Sequence, residues 1–537
     1  LIVLAGIVVY FMTLPVAGPQ LLGSIAIFLI FIVVAATITS LMTAYSDRHG
    51  IPAMTLLVLF AVLLSVFGTN ENHFVRPYDD ERSGEPEIDQ SKSNFEGWYQ
   101  ARGDRTFYET RGERYPVFVV AAAGGALYAA HHTATFLARM QDRCGNFAQH
   151  VFAISSVSGG SLGAAVFAGL AKEFAKNGEA NSCDFGIPQE TGAEASPGPF
   201  EQRAHAFLKN DFLSPMVAAA LFPDALQRFL PRPIESFDRS KALEASFEAA
   251  WSKALPMTDN PFIRGYRKHW RPDGAAPALL LNATEVSNGH RVVFAPFSPG
   301  ESSKWAKMTW LNPLLSSGPA NEKDIKLSSA VGISARYPWI LPAATVPTRR
   351  TVFHLVDGGY VESSGIETAT ELVRTLEADN NGRFTFHLIV LGGFVGVDDV
   401  QKYQLNEAPS PIRALVSAWQ SRAELAFYRA WDTFCPKGRC VKELSEDAAD
   451  MRGRVMFPVE PVFLNLRDFQ LPLAWQLSDL SRKIIGLHSG DARTCRSGYA
   501  FPLGWSDKAA KVSRLAGAPQ FNSCSACMVQ YKLAAQS

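Results

Sequence analysis

The sequence predicts an α/β domain behind an N-terminal membrane-spanning region. Residues 1–68 are almost without charge, and residues 116–122 and 150–157 read as buried strands. Each of these two runs passes through small residues into a stretch that can form a helix. Buried strands that alternate with helices are typical of α/β folds with a parallel sheet.

The N-terminal region contains three apolar segments. Residues 21–44 carry no charge over 24 positions, which is long enough to span a bilayer. Residues 51–68 form a shorter apolar stretch, and residues 1–14 resemble the tail of an earlier span. A secretory signal peptide has one short apolar core, so three successive segments predict an integral, multi-pass anchor in the cell membrane. Because the chain begins with leucine, we expect a further segment before it.

The rest of the chain divides by composition into three parts. Residues 69–114 are polar and charged and are predicted to be a linker that becomes structured near Trp98. Residues 115–490 have the size of one large α/β domain with a helical insertion near 200–255, and residues 491–537 form a cysteine-containing extension. The 51 basic and 51 acidic residues balance without a basic patch, so we expect no nucleic-acid partner. The few arginines near the spans leave open the side of the membrane on which the domain lies.

The most informative motif is a serine at a strand-to-helix junction. The chain reads Ser156-Val157-Ser158-Gly159-Gly160, so small residues stand two before and two after Ser158. A nucleophile elbow is a sharp strand-to-helix turn that needs small residues at those two positions. The helix N-terminus that follows favours developing negative charge. The motif therefore predicts Ser158 as a catalytic nucleophile, the alternative being a small-residue turn without chemistry.

A strict G-x-S-x-G pattern would select Ser161 instead, between Gly159 and Gly163. Ser161 would lie about one turn inside the helix, with its hydroxyl directed away from the turn. Ser158 is therefore the preferred candidate.

Two further motifs fit acyl-transfer chemistry. Gly124-Gly125 follows the first predicted strand, and a glycine pair there can expose backbone N–H groups to a neighbouring site, as an oxyanion hole requires. Asp357-Gly358-Gly359 ends another strand-like run, and a carboxylate in that position is costly to bury unless it is paired.

The order of these motifs resembles that of the patatin-like phospholipase family. In this family a glycine-rich turn is followed by a GxSxG-like elbow and then by Asp-Gly-Gly. Residues 279–294, 328–338 and 360–366 are also similar to family segments, and the resemblance covers about residues 115–395, more loosely to 490. It implies a three-layer α/β/α patatin-like domain behind the N-terminal transmembrane helices.

The resemblance also implies a mechanism. Ser158 would be the nucleophile and Asp357 its base, without a histidine, and the amides of the turn would bind the oxyanion. Burial would raise the proton affinity of the carboxylate, which lets it act directly as a base. The substrate class implied is membrane phospholipids, cleaved at a carboxylic ester in a bacterial-type enzyme of the inner membrane. We expect neither a cofactor nor a metal, and a homo-oligomer is one option that the sequence leaves open.

Three positions depart from the family pattern. Ala126 replaces the third glycine of the turn and would still offer its amide, Tyr128 stands where the family has an arginine, and Ser156 replaces the first glycine of the elbow. The first two departures favour an alternative, a membrane-tethered lipid-binding or scaffold protein with a degenerate site. An acyltransferase with the same dyad is a further alternative. A Ser-Asp-His triad would need His354, His387 or His488, of which the first two are expected to be packing residues and the third a loop residue.

Two other features carry an open interpretation. Residues 207–231 are rich in Phe and Leu, which fits a helical hairpin that covers the sheet or a surface that dips into lipid. Cys144 and Cys183 are expected to be packing or loop residues. The remaining cysteines could form disulfides, stay as free thiols or bind zinc through thiolates: Cys435, Cys440, Cys495, Cys524 and Cys527.

Overall fold

The structure is a computed structural model. It describes residues 2–78, 91–176, 178, 197–297, 309–311, 315–316, 322–337, 340–347, 352–377, 382–392, 421–423, 425–430, 433–434 and 454–459. The α-helices are α1 Ile2–Thr13, α2 Ala17–Leu22, α3 Ser24–His49, α4 Ala53–Val66, α5 Ser91–Gln100, α6 Arg105–Arg111, α7 Ala126–Arg143, α8 Phe147–His150, α9 Gly159–Phe174, α10 Pro199–Leu208, α11 Leu213–Ala219, α12 Ala225–Gln227, α13 Arg239–Ala254, α14 Leu327–Ser334 and α15 Ile366–Glu377. The strands are β1 Pro77–Tyr78, β2 Tyr115–Ala122, β3 Val151–Val157, β4 Ala278–Glu285, β5 Arg291–Phe294, β6 Thr309–Leu311, β7 Leu315–Ser316, β8 Glu322–Ile325, β9 Ala344–Pro347, β10 Val352–Asp357, β11 Phe384–Leu391 and β12 Arg454–Val459.

The predicted α/β class is confirmed by a central, mainly parallel sheet to which the described residues contribute nine strands. Seven strands follow the order β12-β11-β2-β3-β4-β10-β9, while β5 pairs with β4 and β6 pairs with β5. The strands β12, β11, β2, β3 and β4 run parallel, whereas β10 is antiparallel to both of its neighbours, β4 and β9, and β5 is antiparallel to β4. The carboxyl end of β3 therefore lies beside β4, and β4 lies beside the end of β10, so that the two predicted catalytic motifs meet at one region of the sheet.

Helices cover both faces of this sheet. Successive side chains of a strand point to opposite faces, and β2 divides accordingly. Phe118, Val120 and Ala122 belong to a core that includes residues of α7 and α9, whereas Val117 and Val119 belong to a second core with residues of α5 and α15. Both faces of β2 are fully buried, which explains why its sequence is a continuous apolar run rather than an alternating one.

The segment predicted to be a linker is packed against the domain wherever it is described. Val75 donates its amide to the carbonyl of Thr345, and β1 pairs with β8. Trp98 and Tyr108 are almost fully buried in the core that contains α5. The described parts of this segment are folded onto the domain because α5 and α6 turn aromatic residues toward the sheet.

The N-terminal region contains one described helix that is long and apolar enough to cross a membrane, α3, which includes an 18-residue stretch with a mean hydropathy of 2.7. The neighbouring α4 is apolar but has 14 residues. A break at Gly23, whose φ is 79°, separates α3 from α2, so the predicted span of residues 21–44 begins within another helix. The multi-pass anchor stays a prediction.

The helical insertion near 200–255 contains α10 to α13, with a π-helix, Ala220–Asp224, between α11 and α12. Its apolar side chains do not all cover the sheet, and they are not all available to lipid, because some of them pack on the N-terminal helices. Phe222 is buried, and its ring centroid lies 5.2 Å from that of Phe11 in α1 and 5.9 Å from that of Phe31 in α3. The insertion therefore joins the N-terminal helices to the domain.

One of the seven cysteines lies within the described residues. Cys144 is fully buried and disulfide-bonded, which corrects the expectation of an ordinary packing residue. Its partner lies outside the described residues, as do Cys183 and the five cysteines of the C-terminal part. Cysteine spacing alone could not reveal this bond, because spacing does not determine which cysteines meet in the fold.

Candidate active site

Ser158 occupies a strained turn between β3 and α9. Its backbone has φ 53° and ψ −125°, and among the described residues only Ala126 and Ser158 combine a side chain with a positive φ. Such a conformation costs about 1–3 kcal/mol and persists only where the surroundings hold it. Here the Ser158 amide donates to the Ser334 carbonyl at 3.1 Å, so α14 holds the turn from the far side.

Glycines allow the turn to pack directly on the start of α7. A Cβ atom on Gly159 would lie 1.7 Å from the Ala126 carbonyl oxygen, and one on Gly160 would lie 2.5 Å from the Ala123 carbonyl oxygen. Neither distance is sterically possible, so both positions require glycine. The small residues that predicted an elbow are thus explained by the contact between two helix N-termini.

Ser161 lies in the first turn of α9, three residues after Ser158, and is fully buried. Its hydroxyl donates to Ser156 Oγ at 3.0 Å and lies 2.9 Å from Ser334 Oγ. Ser161 and Ser156 therefore belong to a polar network beneath the turn. This arrangement favours Ser158 as the nucleophile candidate, as the sequence predicted.

Asp357 ends β10 and caps the short 3₁₀ helix Gly358–Tyr360. Its Oδ1 accepts a hydrogen bond from the Gly359 amide at 2.8 Å. Burial raises the pKa of Asp357 to about 6, against the lowering effect of the Gly359 amide and the Ser158 hydroxyl. Near neutral pH the carboxylate is ionised and retains a raised affinity for a proton, as a general base requires.

The Ser158 hydroxyl lowers the pKa of Asp357 as a hydrogen-bond donor, so the two side chains are neighbours. However, their contact does not reach standard hydrogen-bond geometry, since Asp357 Oδ2 is buried without a partner among the described residues. Oδ2 is therefore a free acceptor beside the serine.

Gly358 has a steric role in bringing the motifs together. A Cβ atom on Gly358 would lie 2.6 Å from the Asn282 carbonyl oxygen in β4, and 3.1 Å from a methyl group of Val157. The Asp-Gly-Gly turn therefore fits tightly over the end of β3. This contact explains why glycine follows the aspartate.

The glycine turn lies against Ser158, but only some of its backbone amides are free to bind an oxyanion. A Cβ atom on Gly124 would lie 3.2 Å from Ser158 Cβ, which places the turn beside the candidate nucleophile. The Gly124 amide, however, donates to the Ser363 carbonyl at 2.7 Å, which corrects its prediction as an oxyanion donor. The amides of Gly125 and Ala126, at the start of α7, have no acceptor among the described residues. These two are the donors available to an oxyanion.

Asn282 was missed from the sequence, although a polar residue within an apolar strand was a usable signal. Its side-chain amide donates to Ser155 Oγ at 3.1 Å and to the Ser156 carbonyl at 2.9 Å. Its side-chain oxygen accepts from Thr368 Oγ1 at 2.6 Å, and its backbone carbonyl accepts from Ser334 Oγ at 2.6 Å. Asn282 therefore ties the strand before the elbow to α14 and α15.

Glu362 is a second buried carboxylate near these motifs that sequence reasoning missed. Its Oε1 accepts hydrogen bonds from the amide and hydroxyl of Ser364, while Oε2 has no partner among the described residues. Burial raises the pKa of Glu362. Ser363 lies between Glu362 and Ser364, and its carbonyl accepts the hydrogen bond of the Gly124 amide. The loop after Asp357 is therefore bonded to the glycine turn.

No protein-family model matches this chain, and no curated protein matches it. Solved structures that are similar to it include VipD from Legionella pneumophila, with 10% sequence identity and a TM-score of 0.24, over 70% of this chain and 67% of VipD. A TM-score this low does not establish a shared fold.

The histidines of the alternative triad do not gather at this site. His354 is exposed on β10, which corrects its expectation as a packing residue. His387 is buried as expected, and its ring stacks on Phe118 at 5.0 Å near the middle of β2, four residues before the end of that strand. His488 lies outside the described residues.

Among the described residues, one group of side chains could be arranged around a metal ion, namely His73, Asp224 and Asp238. Two arginine side chains already contact this group. Arg228 donates to Asp224 at 2.9 Å and lies 3.1 Å from His73 Nε2, and Arg239 forms an ion pair with Asp224. Guanidinium groups neutralise the carboxylate that a cation would need, so the group is better explained as an ionic network.

Proposed function

We propose that the chain is a membrane-anchored, patatin-like serine hydrolase that cleaves carboxylic esters of phospholipids through Ser158 and Asp357. The observation that carries this proposal is the pairing of a strained serine turn with a buried carboxylate whose pKa is about 6. Strained backbone clusters at functional sites, and a raised carboxylate pKa suits a general base at neutral pH. A purely structural turn requires neither feature.

The proposed reaction has two steps. Asp357 takes the proton of Ser158 while Oγ attacks the ester carbonyl, and the amides of Gly125 and Ala126 stabilise the oxyanion. Collapse of the tetrahedral intermediate breaks the ester bond, and the leaving lysophospholipid alcohol receives the proton. Water then attacks the acyl-serine, Asp357 takes the water proton and returns it to Ser158, and the fatty acid leaves.

The lipid substrate is inferred from the anchor. The exposed apolar residues of α3 and α4 are suited to acyl chains, and a tether raises the local concentration of membrane lipid near the site. We include in the proposal a multi-pass anchor in a bacterial inner membrane.

A second candidate function is a tethered lipid-binding or scaffold protein. Two observations favour it, the use of the Gly124 amide by Ser363 and the Ser158–Asp357 contact outside hydrogen-bond geometry. An acyltransferase would share the acyl-serine and differ only in the alcohol that accepts the acyl group.

Fluorophosphonate labelling of the detergent-solubilised protein tests the proposal. Labelling that is lost in Ser158→Ala, retained in Ser161→Ala and strongly reduced in Asp357→Asn supports the dyad. A folded wild-type protein that does not label favours the lipid-binding candidate. Loss of labelling in Ser161→Ala alone contradicts the assigned nucleophile. Transfer to an added alcohol, measured against free fatty acid, separates an acyltransferase from a hydrolase.

A further inference from the structure

The helix α3 is longer than the hydrocarbon core of a bilayer. Its 26 residues extend about 39 Å at 1.5 Å per residue, against about 30 Å of hydrocarbon. Its charged end, Asp47 and Arg48, marks one edge of that core. Since about 20 residues cross the core, counting back from Ser46 places the other edge near Ile27.

The helix α4 runs back from the charged end of α3 toward the membrane edge near Ile27. The Ala53 amide donates to Ser46 Oγ at 3.1 Å, so α4 starts beside the charged end of α3. At the other end, Asn70 donates to Ser65 Oγ at 3.1 Å and to the carbonyl of Arg228 at 3.2 Å. The first residues after α4 therefore contact the insertion, at the membrane edge from which α3 enters.

The insertion packs on α3 at that edge. Ile27 is fully buried in an apolar cluster with Phe11 and Phe222. Just before α3, Gln20 donates a hydrogen bond to the carbonyl of Asp211 at 2.7 Å. The π-helix that carries Phe222 therefore lies at the depth where hydrocarbon meets the headgroups.

The segment that follows the π-helix has a composition suited to the boundary between hydrocarbon and headgroups. Leu226 and Leu230 are half-buried beside the cluster, and Ile234 is 37% exposed at the end of the segment. Between residues 225 and 234 the charged residues are Arg228, whose guanidinium is paired with Asp224, and Arg232, which is exposed. Apolar side chains with an adjacent cation are typical of segments that lie in the interface of an anionic leaflet.

We propose that residues 226–234, which we call the interfacial segment, lie in the leaflet beside the catalytic domain, with Ile234 in contact with lipid. The occupant of this surface is the acyl-chain and headgroup boundary, because Leu226 and Leu230 pack on the cluster that contains Ile27 of α3. The inference rests on the proposed membrane anchor and not on the proposed chemistry. It fixes the height of the domain above the bilayer, which a linker could not do.

The interfacial segment is also connected to the candidate site. Arg239, five residues after Ile234, donates to the Ile340 carbonyl at 2.6 Å. Nearby on the same chain segment, the Arg336 carbonyl accepts the Asp357 amide at 3.2 Å. These two bonds connect the interfacial segment to the backbone of Asp357.

An environment-sensitive fluorescent amino acid, incorporated at one position at a time, tests the depth. The full chain carries Ser158→Ala, so that no lipid is hydrolysed, and is reconstituted in phosphatidylcholine–phosphatidylglycerol vesicles. The three positions are Ile234, Leu41 on the exposed face of α3, and Met257, which is 97% exposed. Quenching is measured with aqueous iodide and with doxyl-labelled lipids.

We expect doxyl lipids to quench Leu41 and Ile234, and iodide to quench Ile234 several-fold less than Met257. Iodide quenching at Ile234 equal to that at Met257, with Leu41 protected, overturns the interfacial segment and leaves the anchor intact. Iodide access at Leu41 overturns both. The proposed chemistry is judged separately by fluorophosphonate labelling of the wild type.

Discussion

Gly159 and Ala126 are in direct backbone contact, since a Cβ atom on Gly159 would lie 1.7 Å from the Ala126 carbonyl oxygen. Gly159 begins the helix behind the candidate nucleophile, and Ala126 begins the helix that offers free amides. The positions of nucleophile and oxyanion donors are therefore coupled by one steric contact. A change at Gly159 must move one of them.

Gly159→Ala tests this coupling. We expect it to destabilise the protein by about 1–3 kcal/mol, as overpacking of a tight contact does, and to abolish fluorophosphonate labelling. Gly97→Ala in α5 is the matched control, because the nearest atom to its new Cβ would be Pro272 Cβ at 3.6 Å, an ordinary contact. The control should be neutral or stabilising by up to about 1 kcal/mol. Thermal unfolding that is the same for Gly159→Ala and wild type would contradict the contact.

Backbone strain distinguishes the two candidate serines without an activity assay. Ser158 has a positive φ, which glycine adopts without the cost of a Cβ atom, so Ser158→Gly should be more stable than Ser158→Ala by about 1 kcal/mol. Ser161 is helical, so Ser161→Gly should be less stable than Ser161→Ala by about 1 kcal/mol. Denaturant unfolding of the four variants measures both differences. The same sign at both positions would refute the elbow geometry.

The sequence was sufficient to predict those features of the structure that a local steric rule determines. The continuous apolar run of β2 predicted a strand buried on both faces, and the small residues around Ser158 predicted the turn. Both follow from steric constraints that act within a few residues. The α/β class could therefore be predicted before any long-range contact was known.

The sequence was insufficient where the outcome depends on a distant partner. The Gly124 amide is occupied by Ser363, 239 positions further along the chain, and no local pattern indicates this bond. Similarly, Phe222 could have faced lipid, sheet or another helix, and its contact with Phe11 follows from the tertiary fold. Glu362 was missed because a carboxylate in a loop is ordinarily solvated.

The labelling rate should depend on pH through Asp357. Only the ionised carboxylate can accept the Ser158 proton, and its pKa is about 6. We expect the rate to rise as pH increases through about 6 and then to level off, as determined from labelling time courses between acidic and mildly alkaline pH. Asp357→Asn should give a low rate without this rise. A wild-type rate that is constant across the range would exclude Asp357 as the base.

The Cys144 disulfide places a condition on the compartment of the domain, since disulfides persist in oxidising environments. We expect Cys144 to resist alkylation in the denatured, unreduced protein and to react after reduction, as measured by mass spectrometry of the peptide that contains it. Cys144→Ser should destabilise the protein by about 2–4 kcal/mol. Full alkylation of Cys144 without reductant would show that the bond does not form in the cell.

Asp357→Asn should stabilise the protein above pH 6 at the expense of activity. The pKa of Asp357 is raised from 3.8 to about 6, so the folded state binds the proton more tightly than the unfolded state does. Wild-type stability therefore falls as pH rises between these values, by up to about 3 kcal/mol, and this loss is absent in the uncharged asparagine. Thermal unfolding at several pH values should show the advantage of Asp357→Asn growing through that window. Asp259→Asn is a control of opposite sign, because the Arg264 hydrogen bond lowers the pKa of this exposed carboxyl. An advantage of Asp357→Asn that does not change with pH would mean that the carboxyl is not buried as a charge.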